Sequence, residues 1–208
     1  MKDGTAYASK LKRAFARMKQ SVRKPVPTEP DDPLRRLAIA ILSKGTTEDR
    51  GAAAVDKLLA AMVDWNEVRV SNAAQLAAFL GNAVPDSEGR CQALIRALNW
   101  IYNRENKLSL DHLKSGGRRE ARQYLEKIDG ADEYAAAAVM LWSLGGHAIP
   151  VTDPVFELLK EYEVVHPEAT RAEVQAFLER HVSATDARDF CMIVESVVKQ
   201  KRRTRRRR

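Results

Sequence analysis

The sequence predicts an all-α fold, and three of its features carry that prediction. Alanine-rich runs at residues 52–54 and 135–138 favour helix, because alanine has the highest intrinsic helix propensity. Apolar residues recur at spacings of three and four, whereas the period-two alternation typical of strands is missing. Pro85 and the glycine pairs at 116–117 and 145–146 separate the helical segments. With 208 residues, the chain fits one substantial domain or two small lobes.

Local capping signals set several of the predicted helix boundaries. Asp32 precedes Pro33, which is an N-cap followed by the residue best suited to the first helical position. Thr170 and Glu173 form a capping box at the start of a later helix. The predicted helices lie at about residues 5–20, 33–43, 48–63, 72–80, 87–104, 117–128, 133–144, 154–164, 171–182 and 186–200.

Composition divides the chain into four parts. Residues 1–24 are predicted to form a basic N-terminal helix or arm, and residues 25–32 a proline-rich linker. Residues 33–198 form the predicted helical domain. Residues 199–208 are predicted to be a disordered basic tail, because they bury no apolar surface and their charges repel one another.

The net charge of +7 is concentrated at the two ends of the chain. Residues 1–24 carry +7 and residues 199–208 carry +8, so the 174 residues between them carry −8. A polycationic tail is typical of a nucleic-acid-binding arm, with a solubility tail as the alternative. The N-terminal helix is amphipathic and either packs on the core or lies on DNA. The tail residues expected to contact DNA are Arg205, Arg206, Arg207 and Arg208.

Several classes of protein are not expected. No apolar run approaches the roughly 18 residues of a membrane span, and the basic N-terminus lacks the apolar core of a secretory signal. We therefore expect no membrane partner and a cytoplasmic location, with nucleoid association if the protein is bacterial. Cys91 and Cys191 lie in apolar helical patterns, which predicts buried free thiols. The histidines show no metal-ligand spacing, so no metal site is predicted.

The segment 117–144 is predicted to form a helical hairpin with a tight turn at residues 128–132. Gly130 can take a positive φ without steric cost, and Asp132 is a good N-cap for the apolar helix that follows. Backbone N–H groups at the start of such a helix form an anion site. A plain helical hairpin without a ligand is the alternative.

The order of elements around the hairpin resembles that of a known family. The hairpin is followed at a short distance by the segment GGHAIPVTDPVF at residues 145–156. This arrangement is similar to the helix-hairpin-helix DNA glycosylases of the endonuclease III superfamily, whose hairpin reads L-P-G-V-G-x-K-T-A and is followed by V-D-T-H-V. The early helix at residues 33–43 looks like the family's helix ending in L-S-x-Q. The resemblance covers roughly residues 31–198 and implies a two-lobed all-α fold.

The resemblance implies where catalysis would lie. A glycosylase must stabilise the positive charge that builds on the sugar, and in the family the Asp of V-D-T-H-V does so. Aligned without a gap, Thr152 falls on that Asp, and Asp153 lies one residue later. Asp153 is the candidate acid/base residue; alternatively it simply caps the helix starting at Pro154. Tyr134 matches the Lys of bifunctional members, and because a phenol forms no imine, no Schiff-base abasic-site lyase activity is expected.

The resemblance also implies the DNA contacts. Gly130, Ala131 and Asp132 match the hairpin residues that hold a phosphate, with Asp132 in place of the second glycine. The polar residue that fills the gap left by a flipped base falls on Gly45, so Lys44 and Thr46 are the candidates to replace it. Arg90, near a helix N-terminus, is a candidate phosphate contact. The DNA-binding candidates are therefore Gly130, Ala131, Asp132, Lys44, Gly45, Thr46 and Arg90, together with the four tail arginines.

The expected partner is double-stranded DNA, damaged or abasic, bound by a monomer. Many relatives hold an iron-sulfur cluster with four closely spaced cysteines, which this chain cannot supply; a monovalent cation at the hairpin is the only cofactor the resemblance suggests. Three functions remain open. The protein is a monofunctional DNA N-glycosylase, a relative that binds DNA or senses lesions without catalysis, or a general RNA- or DNA-associated helical protein.

Overall fold

The computed structural model describes residues 4–22 and 30–206, and these residues form α-helices and no β-strand. The predicted all-α class is confirmed. Among the described residues, no helix combines the length and apolarity needed to cross a bilayer. The helices are α1 (Gly4–Ser21), α2 (Pro33–Leu42), α3 (Glu48–Ala61), α4 (Trp65–Val70), α5 (Ala73–Leu80), α6 (Ser87–Glu105), α7 (His112–Ser115), α8 (Arg118–Leu125), α9 (Glu133–Trp142), α10 (Asp153–Glu161), α11 (Arg171–His181) and α12 (Ala187–Arg206).

The chain divides into two compact units. The central unit is Pro30–Gly146 and holds α2 to α9, and the terminal unit combines residues from both ends of the chain and holds α1, α10, α11 and α12. Composition predicted a different division, with a helical domain at residues 33–198, and that division stays a prediction. Most of the predicted 25–32 linker lies outside the described residues.

Helix α2 lies at the centre of the central unit. It packs against α3, α6 and α9, and nearly all of its residues are buried. The predicted cap is confirmed, because the Asp32 carboxylate accepts a hydrogen bond of 2.7 Å from the Arg35 backbone N–H and Pro33 opens the helix. Arg36 is buried between the carboxylates of Asp31 and Glu48, which compensate the cost of removing its charge from water.

In the terminal unit, α1 packs against α12. The rings of Phe15 and Phe190 lie 4.9 Å apart, and Leu11 and Met18 on the same face of α1 are buried. The apolar face of the N-terminal helix therefore packs on the core of this unit, which is one of the two predicted alternatives, and contact of its other face with DNA stays a prediction. The capping box of α11 is confirmed: Thr170 Oγ1 accepts from the Glu173 N–H at 3.2 Å, and the Glu173 carboxylate accepts from the Thr170 N–H at 2.8 Å.

The structure departs from the predicted elements in three places. The short helices α4 and α7 were not predicted, since six and four residues are too few for a clear periodicity. Helix α10 begins at Asp153 rather than Pro154, and its N-cap is Thr152. Helix α12 continues to Arg206, whereas a disordered tail was expected from residue 199. Extending a helix costs less than starting one, and lysine and arginine are good helix formers, so the apolar part of α12 carries the basic part with it.

Candidate nucleic-acid interface

The hairpin of the central unit is built from α8, a tight turn and α9. Leu125 and Ile128 are buried beneath the turn, while Gly130 and Ala131 are partly exposed. Tyr124 anchors α8 to α6 through a hydrogen bond of 2.8 Å from its hydroxyl to Glu105. Burial, followed by that hydrogen bond and the charge of Glu105, raises the pKa of Tyr124, so the phenol stays protonated at neutral pH. The first helix of the hairpin is therefore held in place.

Gly130 brings the turn into direct contact with the backbone of α6. Its φ is +86°, a conformation that other residues adopt only at a cost. A Cβ added at Gly130 would lie 2.1 Å from the carbonyl oxygen of Ala93, which is backbone and cannot rotate away. The prediction that this glycine is needed for its positive φ is confirmed, and the close approach to α6 is a second reason for it.

The N-terminus of α9 presents backbone donors beside the turn. Asp132 is the N-cap, as predicted, and its carboxylate accepts a hydrogen bond of 3.0 Å from the Ala135 N–H. The N–H groups of Gly130 and Asp132 donate to no other group of the described residues. Because these donors lie at the positive end of the helix dipole, the turn can bind an anion such as a phosphate.

Two ion pairs neutralise the acidic side chains of the turn. Lys44 Nζ lies 2.9 Å from the Asp132 carboxylate, and both side chains are 38% exposed. Arg96 Nε lies 3.3 Å from the Asp129 carboxylate. Asp132 therefore adds no uncompensated negative charge to the turn, and the two cations lie next to the place where a phosphate would sit. The turn 128–132 together with Lys44 and Arg96 is called the hairpin cradle below.

The loop 43–47 lies beside the cradle through Lys44. Gly45 is exposed, and a Cβ built there would meet Pro85 at an ordinary 3.8 Å. Thr46 is only 4% exposed, so its side chain does not reach the surface of the unit. Lys44 and Thr46 were the candidates to fill the gap left by a flipped base in place of Gly45. Of these two, only Lys44 is partly exposed, and it is paired with Asp132.

Arg90 lies on the first turns of α6, three residues before the Ala93 carbonyl that Gly130 touches. Its guanidinium forms an i,i+4 ion pair with Asp86, at 3.3 Å. Its Nε is buried and has no hydrogen-bond partner among the described residues. The structure thus brings Lys44 to the hairpin turn and places Arg90 about one helical turn before the residue of α6 that the turn touches.

Tyr134 lies on α9, two residues after the N-cap, and its side chain is 8% exposed. In the motif resemblance described under Sequence analysis, this position corresponds to the Lys of bifunctional glycosylases. A buried phenol offers neither an amine nor free access to a sugar, so the position can supply packing but no Schiff-base chemistry.

In the terminal unit, Thr152 caps helix α10 and Asp153 provides a partly exposed carboxylate at its first position. Thr152 Oγ1 caps α10 by accepting from the Val155 N–H at 3.3 Å, so the alternative in which Asp153 provides the cap is wrong. Asp153 is the first residue of α10, where a carboxylate is stabilised by the helix dipole. Its carboxylate lies 2.7 Å from Arg171 Nη2, and its side chain is 39% exposed. Asp153 is thus an accessible carboxylate held by an arginine.

The remaining predicted site residues lie at the end of α12. Arg205 and Arg206 belong to the helix, and Arg207 and Arg208 lie outside the described residues. Cys91 and Cys191 are buried and form no disulfide, as predicted. Burial raises the pKa of Cys91 to about 11, so this thiol is neutral and unreactive at physiological pH. Across residues 4–22 and 30–206, no three His, Cys, Asp or Glu side chains are grouped to hold a metal ion.

Sequence reasoning missed two charged partners of the candidate residues. Arg96 neutralises Asp129 from α6, and Arg171 holds Asp153 from the start of α11. No local pattern marks either arginine, because each pairing joins residues distant in sequence. A periodicity argument would have placed Arg96 only on the exposed side of α6.

No protein-family model and no curated protein matches the sequence. Solved structures do match the fold. A non-covalent endonuclease III–DNA complex has a TM-score of 0.69 at 14% identity, over 90% of this chain and 83% of that chain. Clostridium acetobutylicum 8-oxoguanine glycosylase/lyase, in complex with dsDNA containing cytosine opposite 8-oxoG, has a TM-score of 0.70 at 16% identity, over 97% and 71%.

A third similar structure is the H. pylori 3-methyladenine DNA glycosylase MagIII bound to 1,N6-ethenoadenine. Its TM-score is 0.65 at 15% identity, over 97% of this chain and 99% of that chain. All three similarities extend over at least nine-tenths of the present chain, which therefore has the all-α fold of these DNA glycosylases.

Proposed function

We propose that the protein binds double-stranded DNA through the hairpin cradle and recognises damaged or abasic sites, as a protein of the base-excision-repair type. One observation carries the proposal. Within a fold shared with DNA glycosylases, the partly exposed turn offers the N–H groups of Gly130 and Asp132 at a helix N-terminus, with Lys44 beside them. Backbone donors and a nearby cation are what a DNA phosphate requires.

Binding to a phosphate would rearrange the charges of the cradle. Lys44 and Arg96 are paired with carboxylates in the free protein, and both pairs are at the surface. Surface ion pairs are worth little, about 0–1 kcal/mol, so exchanging Asp132 for a DNA phosphate is cheap for Lys44. The backbone N–H groups need no such exchange. They provide contacts that hold DNA in place without reading its sequence.

The test measures affinity for DNA in a variant that places a negative charge in the cradle. Ala131→Glu puts a carboxylate beside the N–H donors, whereas Ala83→Glu makes the same change at an exposed position elsewhere in the central unit. We expect fluorescence anisotropy with a duplex carrying an abasic analogue to show affinity about tenfold lower for Ala131→Glu, equivalent to about 1.4 kcal/mol. Ala83→Glu is expected to bind like the unmodified protein.

Two outcomes would contradict the proposal. If Ala131→Glu and Ala83→Glu bind the duplex equally well, the cradle does not hold the backbone. If the unmodified protein binds single- or double-stranded RNA more tightly than abasic, mismatched or intact DNA, the protein is a general nucleic-acid-associated helical protein instead. Both measurements need a stated salt concentration, because phosphate contacts are strongly salt-dependent.

A second candidate function is hydrolysis of the N-glycosidic bond of a damaged base. Asp153 favours it, because an accessible carboxylate at the start of α10 can stabilise a cationic sugar or activate water. Thr152, at the position of the family's Asp, has no charge to contribute. Arg171 and the N-terminus of α10 both place positive charge beside this carboxylate.

Base release from a panel of damaged-base duplexes distinguishes the two candidates. For a glycosylase, Asp153→Asn abolishes release and leaves duplex affinity nearly unchanged, while Glu168→Gln, an exposed carboxylate in the same unit, has no effect. Binding without any base release across the panel would favour a lesion-binding protein without catalysis. Strand cleavage through a borohydride-trappable imine is not expected, since Tyr134 replaces the nucleophilic amine.

A further inference from the structure

The terminal unit contains a basic surface that is separate from the hairpin cradle. Between residues 4 and 22 the chain has five Lys and Arg residues and no Asp or Glu. All five are exposed on α1, outside the apolar face that packs on α12: Lys10, Lys12, Arg13, Arg17 and Lys19. The last turns of α12 add further cations, among them Lys201, Arg202 and Arg203.

The fold brings these two basic segments to the same turn, at the end of α10. A groove of about 400 Å³ is lined by Lys10, Arg13 and Arg17 of α1 and by residues 161–163. From α12, Lys201 lies 3.0 Å from the Glu161 carboxylate and 4.8 Å from the centre of the Tyr162 ring. The two ends of the chain, nearly 200 residues apart in sequence, therefore contribute to one surface.

The acidic residues in the groove are already compensated. Glu161 is paired with Lys201, and Glu163 lies 3.8 Å from Lys10. By contrast, the exposed guanidinium groups of Arg17, Arg202 and Arg203 form no ion pair with the described residues. The surface consequently retains an excess of positive charge that no part of the described chain neutralises.

The chemistry of the surface selects among possible polyanions. A membrane-binding amphipathic helix needs its apolar face free to enter the lipid. The apolar face of α1 is already used, since Leu11, Ala14 and Met18 are buried within the terminal unit. What remains exposed includes a row of cations at helical spacing, Lys10, Arg13 and Arg17, which spans about 10 Å at 1.5 Å per residue and suits successive phosphates of a nucleic-acid backbone.

We propose that α1 and the basic end of α12 form a second surface that binds the phosphate backbone of duplex DNA without reading its sequence. The proposal rests on the proposed function only for the identity of the partner, since the surface and the cradle share no residue. The described middle of the chain is acidic overall, so this surface supplies the long-range attraction that the cradle lacks.

The experiment uses the full chain and an undamaged 20-base-pair duplex, with affinity measured over a range of salt concentrations. The test variant is Arg13→Gln/Arg17→Gln, and the control is Arg104→Gln/Arg119→Gln, which removes two exposed arginines from the central unit. Each lost phosphate contact lowers the slope of log affinity against log salt by about 0.9. We expect the test variant to lose about 1.8 from the slope and about tenfold in affinity at 0.1 M salt, and the control to lose neither.

Further variants distinguish charge from folding and this surface from the cradle. Arg13→Lys/Arg17→Lys keeps the charge and should retain the salt slope, while Arg202→Gln/Arg203→Gln should weaken binding as the α1 variant does. Test and control variants that bind alike would overturn the proposal, as would tighter binding to phosphatidylserine vesicles than to DNA. If Ala131→Glu has no effect but Arg13→Gln/Arg17→Gln weakens binding, the cradle fails and this surface stands; the reverse result overturns only the surface.

Discussion

Replacing Gly130 by alanine tests the packing on which the hairpin cradle depends. A positive φ costs a residue with a Cβ about 1–2 kcal/mol, partly offset by about 0.4–1 kcal/mol from the less flexible unfolded chain. The Cβ would also lie 2.1 Å from the Ala93 carbonyl oxygen, so the turn must move away from α6. Such overpacking costs about 1–3 kcal/mol. We therefore expect Gly130→Ala to lower the free energy of unfolding by roughly 2–4 kcal/mol.

Gly145 provides the matched control for this change. Its φ is +62°, but a Cβ added there would meet nothing within 4 Å, so Gly145→Ala carries the backbone cost without the clash. Trp65, Trp100 and Trp142 all belong to the central unit, so tryptophan fluorescence during denaturant unfolding reports the unit that holds both glycines. The difference between the two variants should be about 1–3 kcal/mol, with Gly130→Ala the less stable.

Equal destabilisation in Gly130→Ala and Gly145→Ala would refute the reasoning, because it would mean that the turn does not rest on the backbone of α6. If Gly130→Ala is destabilised as predicted, the variant should also bind DNA less well under conditions in which it remains folded, because the turn that carries the N–H donors has been displaced. A Gly130→Ala protein with unchanged stability and unchanged affinity for duplex would argue against the cradle as a whole.

Three further predictions concern other parts of the molecule. Tyr124→Phe removes the hydrogen bond to Glu105 and should lower the free energy of unfolding by about 1 kcal/mol in the same fluorescence assay, whereas an unchanged value would mean that the bond does not anchor α8. Asp153→Asn weakens a half-exposed ion pair with Arg171 and should lower the free energy of unfolding by less than about 1 kcal/mol by calorimetry, whereas a larger loss would mean that Asp153 is needed for folding. Burial raises the pKa of the Cys91 thiol from its ordinary 9.0 to about 11 in the folded protein. Unfolding between these two pH values therefore releases a proton, so stability should fall as the pH rises through that interval. Cys91→Ala should show a shallower fall, and an identical slope in both proteins would contradict the burial of this thiol.

Local interactions made much of the fold predictable. Asp32 with Pro33, and Thr170 with Glu173, specify helix starts through residues within one turn of each other, and both starts are observed. The turn at Gly130 was predictable for the same reason. The start of α10 was not, because Thr152 and Asp153 are both good N-caps and a proline at residue 154 fits the first or the second helical position.

Interactions between residues far apart in the chain could not be predicted from the sequence. Lys44 and Asp132 are 88 residues apart, and their ion pair exists only because α2 and α9 pack together. The basic end of α12 shows a different limit. Repulsion among like charges predicted disorder, but the helix is propagated from buried residues before it, and Lys201 is paired with Glu161 across the unit. The sequence of the tail alone reveals neither the buried part of α12 that propagates the helix nor Glu161, the partner of Lys201.

The central claim is that the turn at Gly130 binds a DNA phosphate through its backbone N–H groups. The most direct measurement is an NMR titration of the full chain with duplex DNA that follows the amide signals of Gly130 and Asp132. The amide signal of Gly81, the C-cap residue of α5, serves as the internal reference. The two cradle amide protons should move downfield and saturate as DNA binds, while the Gly81 signal stays in place. Signals of Gly130 and Asp132 that do not move while DNA is bound would contradict the claim.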